Sequence, residues 1–484
     1  MENTVKTDLD AQLVTMDGLD LANRIRTKEL SSIEVLETTI RRIERINPEI
    51  NAIASTNYGF ARKRAGQESL EGIFAGVPTL LKDVFSYPGH TVGFGSRLFD
   101  CLPAPAGSRY ADAIDKAGLV VLGKSTTSEF GLLGTTETLV KGATKNPWNK
   151  SKSAGGSSGG AVAAVAAGLV PVAHASDGGG SVRGPSSFCG LFGFKPSRGR
   201  LLDNGLPASL PLSSMISEHC VSRSVRDSAA WLLATEKENT HDPLSISDIE
   251  ATHPPKKLRI GFYIRDSLGR EPTIDARSAV LETASLCESL GHDVYEIDPP
   301  KFDAKATAEA FFTLGGVGMA AMFSQFKGMM GPAFTEEGFE PYTRAIAEKG
   351  AQTDPKSMGE IMALMKTAEQ DLNEAQKQCD IMLSPTVPYP AFDLGTYHSD
   401  LPMEELNAFI ERVACYTVLP SIAGSCAMSV PLSQTDTNLP MGSHFSAPQG
   451  HDRLLFSLAF QLEQASPWQS RIFDMWERNR WYKP

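Results

Sequence analysis

The chain has 484 residues, 41% hydrophobic and 21% charged, an ordinary globular balance that allows a large buried core in one large domain or two to three smaller ones. Its 57 acidic residues against 46 lysines and arginines leave a net charge of −11, which argues against a nucleic-acid backbone as the main partner. The first eight residues lack the apolar core of a signal peptide. The Ala- and Gly-rich stretch 161–175 is too short and too weakly hydrophobic to span a bilayer, so a cytoplasmic chain with no membrane partner is expected.

The predicted elements run as follows. A short helix covers 19–26. A longer one begins at Ser32, with Val35, Leu36, Ile40, Ile43 and Ile46 at helical spacing, Ser31 as N-cap and Pro48 past its end. From 76 to 175 strands at 77–81, 119–122 and 170–173 alternate with helices at 108–117 and 158–167, the pattern of an α/β layered fold. The polar segment 236–257, with Pro254-Pro255 near its end, reads as a surface connection. Beyond it, strands are predicted at 258–263, 292–297, 381–384, 427–431 and 441–445. Helices are predicted at 275–290, over most of 304–377, and at 452–464. The strand pattern continues on both sides of the connection, so a sheet shared by both halves is as reasonable as two domains.

Three local patterns carry the chemistry. Lys82 ends the run Gly76-Val77-Pro78-Thr79-Leu80-Leu81-Lys82-Asp83. Ser157 sits in Gly155-Gly156-Ser157-Ser158-Gly159-Gly160, and Ser181 in Asp177-Gly178-Gly179-Gly180-Ser181-Val182-Arg183. Taken singly, each has a plain structural meaning: a solvated pair at a strand end, a flexible linker, a tight turn. Together, in one strand–helix region, they point to acyl transfer and above all to amide hydrolysis. A serine hydroxyl is a weak nucleophile until a base takes its proton. Lys82 follows an apolar run, and burial of an ammonium lowers its pKa and frees a neutral amine. The Ser157 hydroxyl both donates and accepts, so it can relay the proton from Ser181 to Lys82. The glycines let the N–H groups of Gly178, Gly179, Gly180 and Ser181 turn toward one developing oxyanion.

Supporting roles fall to neighbours. Asp177 and Arg183 flank the nucleophile and read first as purely structural residues, or else as an ion pair that orients its loop. Ser158 either bonds Lys82 or the turn, or caps the following helix. His174 reads as structural, and Cys189 as core. The Phe- and Met-rich stretch 311–334, with Met319 and Phe323, reads equally as an adaptable pocket or as ordinary core. Phe130, Leu133 and Thr136 are candidates for a further pocket wall. The seven widely spaced cysteines show no CxxC, and the nine histidines show no HExxH, so reduced thiols, no metal and no cofactor are expected.

These residues, with AGLVVLGKSTTSEFG (117–131), GATKNPWN (142–149), AGGSSGGAVAAVAAG (154–168), SDGGGSVRGPSSFCGLFGFKPSRGR (176–200) and SRSVRD (222–227), closely resemble the amidase signature family. The resemblance covers most of the chain, is densest over 72–227, and is weaker after 258. It implies an α/β fold: one domain over 1–484 with a large twisted mixed β-sheet flanked by α-helices on both faces, in which 258–484 completes the sheet and substrate pocket. It also implies a Ser–cis-Ser–Lys triad of Ser181 as nucleophile, Ser157 as relay and Lys82 as base, with a cis bond between Gly156 and Ser157. Within the family the chain is similar to the nylon-oligomer cyclic-dimer hydrolases and to aryl-amidases and urethanases. The substrates implied are small, fairly apolar amides, carbamates or esters, with water as acyl acceptor; a homodimer is the common assembly.

The chain departs from the family pattern in places. Gly178 and Gly184 stand where larger residues are common, leaving room near the nucleophile. Ser443-His444-Phe445 replaces the usual continuation after Leu439-Pro440-Met441-Gly442. Two competing functions remain. A glutaminase subunit of a tRNA-dependent amidotransferase normally carries glutamine at the position of Gly184. A non-catalytic binding protein on this fold would lack Lys82 or one of the serines, and all three are present.

Overall fold

The computed structural model describes residues 2–67, 70–99, 102–104, 107–250 and 256–481; Cys101 and Pro254-Pro255 lie outside the described residues. The helix Ser32–Ile50 starts on a capping box, the Ser31 hydroxyl accepting from the Glu34 amide while the Glu34 carboxylate accepts from the Ser31 amide. It buries the expected stripe of Val35, Leu36, Ile40, Ile43 and Ile46 but runs through Pro48 to Ile50. Pro48 lies in the last turn on the solvent face, and Glu44, whose carbonyl loses its donor, is also exposed.

Three strands, β1 (Ile53–Thr56), β2 (Pro78–Lys82) and β3 (Val120–Ser125), form a small sheet in the order β1-β3-β2. Strands β2 and β3 are parallel and wholly buried, so the polar Thr79, Lys82, Lys124 and Ser125 are buried along with their apolar residues. The larger sheet has eight strands: β4 (Val172–Asp177), β5 (Phe192–Lys195), β6 (Ser217–Ser222), β7 (Arg259–Phe262), β8 (Asp293–Glu296), β9 (Ile381–Pro385), β10 (Cys426–Gln434) and β11 (Pro440–Ala447). Their order is β8-β7-β9-β11-β10-β5-β6-β4. Strand β7 runs parallel to β8 and β9, and the other pairings are antiparallel. Three strands come from before the polar connection and five from after it, so one sheet draws on both halves. The connection itself holds the short helix Ile246–Glu250.

Both faces of this sheet are covered. On β11, Gly442 and His444 point toward helix α1 (Arg183–Cys189): the Gly442 amide donates to Ser187 Oγ at 2.8 Å, and His444 Nε2 lies 3.0 Å from Arg183. Ser443 points the other way, to helix α2 (Ile274–Ser289), where its hydroxyl meets Thr283 Oγ1 at 2.7 Å. Period-two alternation thus assigns one helix to each face. Farther on, the expected helical stretch divides into α3 (Ala304–Met330), α4 (Pro341–Ala351) and α5 (Met358–Ala375). Among the described residues, one helix, 304–333, is long and apolar enough to cross a membrane by length and composition alone. Its Ala310, Leu314 and Met319 are buried against the body of the protein.

Candidate active site

Lys82 ends β2, where the strand lies beside β4. Thr79 Oγ1 donates to the Val172 carbonyl at 2.9 Å, and the Lys82 amide donates to His174 Nδ1 at 3.3 Å. His174 is thereby fixed with its proton on Nε2, which faces Glu218 Oε2 at 3.0 Å. This is the structural role read from sequence: the ring holds the strand that carries the lysine.

The Lys82 side chain is 1% exposed. Its Nζ donates to Ser157 Oγ at 2.7 Å, to Ser176 Oγ at 3.0 Å and to the Ser176 carbonyl at 3.3 Å. Burial pulls the lysine down from 10.5 to about 8, against the opposing pull of the negative charges on Glu218 and Asp177. Ser157 follows Gly156 through a cis peptide bond. Gly131 (φ 75°) closes over the site, and a methyl there would stand 3.3 Å from Ser157 Oγ.

Ser181 lies on the wall of the same cavity as Lys82, Ser157 and Ser176. Its turn is built by Asp177, which ends β4. The Asp177 carboxylate accepts from the amides of Gly180 at 2.7 Å and Val182 at 3.1 Å. It also takes both arms of Arg183, from Nε at 2.9 Å and Nη2 at 2.8 Å. Both residues are fully buried. Burial alone would push Asp177 up, but the Arg183 guanidinium overrides it and holds the carboxyl well below the usual carboxylate range. The ion pair is thus a clamp across the turn that carries Ser181.

That clamp corrects the expected set of oxyanion donors. The Gly180 amide is committed to Asp177, which leaves Gly178, Gly179 and Ser181 as the amides that can face the cavity. Gly180 is needed for a different reason. Its φ is 138°, and a methyl there would fall 2.3 Å from Thr417 Oγ1, which itself donates to the Gly179 carbonyl at 2.7 Å. At Gly178 and Gly184, by contrast, a methyl would meet its nearest neighbour at 3.5 and 3.6 Å, ordinary contact. Those two glycines line the cavity without being demanded by the backbone.

The cavity has a volume of about 330 Å³ and a mostly apolar wall that includes Phe94, Phe130, Leu133, Ile216, Phe311, Met319 and Met322. Phe130, Leu133 and Met319 therefore line the cavity; Thr136 and Phe323 do not. Thr136 is drawn into the backbone, its hydroxyl donating to the Gly155 carbonyl at 2.9 Å and accepting from the Gly159 amide at 3.2 Å, so it braces the Ser157 loop. Phe323 stacks on Phe339 at 4.2 Å. Ser158 caps no amide of its helix; its hydroxyl donates to the Ser176 carbonyl at 3.3 Å and reaches Lys82 only through that residue. Cys189 is buried, its thiol pushed up by desolvation, and takes no part in the site.

Sequence reasoning missed Ser176, Thr417 and His444. Ser176 stands one residue before Asp177 in the motif already singled out, so it was within reach. Thr417 is contributed by a distant segment with no local pattern. Among the described residues, no group of three or more His, Cys, Asp or Glu side chains could hold a metal ion.

The family model described as Amidase matches residues 34–456. The 6-aminohexanoate-cyclic-dimer hydrolase of Paenarthrobacter ureafaciens is 31% identical over 476 residues, covering 94% of this chain and 96% of that protein. A glutamyl-tRNA(Gln) amidotransferase subunit from Chromohalobacter salexigens is 30% identical over 483 residues, covering 93% and 96%. A bacterial aryl acylamidase structure superposes with a TM-score of 0.85 at 26% identity, covering 95% of this chain and 98% of that one.

Proposed function

This chain belongs to the amidase family of amidohydrolases, and we propose that it cleaves the C–N bond of small, fairly apolar amides through a seryl acyl-enzyme, with water as the second acceptor. The observation that carries this reading is the fully buried Lys82 with its Nζ 2.7 Å from Ser157 Oγ, in a cavity shared with Ser181. Neutral Lys82 takes the Ser157 proton while Ser157 takes that of Ser181, and Ser181 Oγ bonds to the substrate carbonyl carbon. The negative charge that develops on the carbonyl oxygen is received by the amides of Gly178, Gly179 and Ser181. The proton returns along the same path to the leaving nitrogen as the C–N bond breaks. Water then gives its proton to the relay, attacks the acyl carbon and releases Ser181.

The apolar wall and the side chains missing at Gly178 and Gly184 support bulky acyl groups, including cyclic amides and anilides such as the relatives' names describe. Carbamates and esters fit the same chemistry, since an alcohol leaves more easily than an amine. A cytoplasmic location and a homodimer complete the reading. The test is turnover of p-nitroanilides, p-nitrophenyl esters, an aryl carbamate and a cyclic diamide by the purified protein beside Ser181→Ala. Activity on this panel that Ser181→Ala abolishes supports the reading. Activity surviving in Ser181→Ala refutes it. Activity on glutamine alone would transfer the chain to the amidotransferase reading.

A further inference from the structure

We infer that His444 is a positioning residue for the nucleophile, acting through Arg183 from the opposite side of the turn. The inference rests on Ser181 being the nucleophile and adds a residue that the triad does not contain.

Arg183 leads helix α1, two residues after Ser181, and its guanidinium is 0% exposed. Each nitrogen of that guanidinium has a partner. Nε and Nη2 hold Asp177, Nη2 also donates to Ser421 Oγ at 2.9 Å, and Nη1 donates to His444 Nε2 at 3.0 Å. Arginine has donors only, so His444 Nε2 must be the bare, accepting nitrogen. The ring proton therefore sits on Nδ1, where it donates to Ser384 Oγ at 3.2 Å; the Ser384 hydroxyl passes its own proton to the Pro385 carbonyl at 3.1 Å. Every donor along this path meets an acceptor, and the path runs in one direction from the guanidinium to the backbone of β9.

The sheet explains why the histidine can do this. His444 is 1% exposed at the centre of β11, opposite Ser384 of β9 on one side and Ser429 of β10 on the other. Its position along a central strand cannot drift. Burial, and then the neighbouring Arg183 cation, hold the imidazole well below its usual pKa, which keeps the accepting nitrogen free. The consequence reaches the chemistry. Arg183 sets the Asp177 carboxylate, Asp177 binds the Gly180 and Val182 amides, and those two residues bracket Ser181. A guanidinium held only by Asp177 and Ser421 can swing; one also anchored to the sheet cannot.

The experiment compares His444→Phe, which keeps a ring but removes the acceptor, with His444→Gln, whose amide oxygen can take the Nη1 proton. Ser181→Ala runs in parallel on the same p-nitroanilide, with Tm measured for all. The expected result is a fall in kcat of about 10- to 100-fold for His444→Phe with KM changed less than about threefold, from a buried donor left unpaired. His444→Gln is expected to recover most of that loss. Wild-type kcat in His444→Phe overturns the inference. So does an equal loss in both variants that follows a lowered Tm, which marks a merely structural residue. If Ser181→Ala itself turns over substrate, the nucleophile assignment has failed, a result distinct from either of these.

Discussion

The pH dependence of acylation follows from one buried amine. In the proposed mechanism Lys82 acts as base only when neutral, and burial brings it down from 10.5 to about 8. At pH 7 about a tenth of the molecules then carry the neutral amine, against about one in three thousand for a lysine at 10.5. From pH 6 to pH 9 that fraction rises about 90-fold, so kcat/KM on a neutral p-nitroanilide should climb about tenfold per pH unit and level off above pH 8. Other groups titrate nearby, with Glu340 and Glu463 at about 7 and Lys124 and Lys195 at about 8, but none of them lines the cavity. His174 cannot imitate the profile, since burial moves it below its ordinary value, away from this range. The assay is initial rate at low substrate from pH 6 to 10, with Ser181→Ala subtracted for background hydrolysis. A profile flat over that range, or one still rising tenfold per unit at pH 10, refutes the reasoning.

Lys82→Ala should fold and lose about 10²–10⁴ in kcat, the contribution of a general base, and near-normal turnover would remove the lysine from the mechanism. Gly184→Ala adds a methyl whose nearest neighbour, Val387, stands at an ordinary 3.6 Å. It should leave Tm and small-substrate turnover unchanged while raising KM for bulky acyl groups at least about tenfold; equal KM values across substrate sizes would show that the cavity is not used there. Asp177→Asn strips a fully buried arginine of its counter-ion and should destabilise the protein by about 3–5 kcal/mol, read as a lowered denaturant midpoint. An unchanged midpoint would show that the ion pair is not a clamp. Gly180→Ala drives a methyl to 2.3 Å from Thr417 Oγ1 and should abolish acylation in a protein that still folds; retained acylation would show that the turn can relax.

Much of the fold was legible because its strands obey simple rules. β2, β3 and β9 each contain a short apolar run, and they and β11 lie within three residues of their expected bounds. β6 was not legible. Ser217-Glu218-His219-Cys220-Val221-Ser222 is buried at every position and shows no apolar alternation, because its polar side chains find internal partners such as Ser228 Oγ, 2.8 Å from His219 Nε2. β5 lies within the Gly- and Ser-rich motif and was read only as motif. In the candidate site, Ser157 and Ser181 were readable because glycine-rich turns announce close backbone approach, and Lys82 because it ends an apolar run. The groups that steady them were not. Thr417, Ser421 and His444 reach the Ser181 turn from more than 230 residues away in the chain, through contacts that only the folded sheet creates. The commitment of the Gly180 amide to Asp177 was likewise invisible to a rule that counts N–H groups without asking which are already bonded.

Covalent labelling tests the central claim most directly. The protein is treated with a fluorophosphonate probe, then examined by intact mass and peptide mapping, beside Ser181→Ala and Lys82→Ala. The account predicts a single adduct on Ser181, none in Ser181→Ala, and labelling of Lys82→Ala slowed at least about 100-fold. An adduct on any other residue, no adduct on a folded protein, or labelling of Lys82→Ala at the wild-type rate would contradict it.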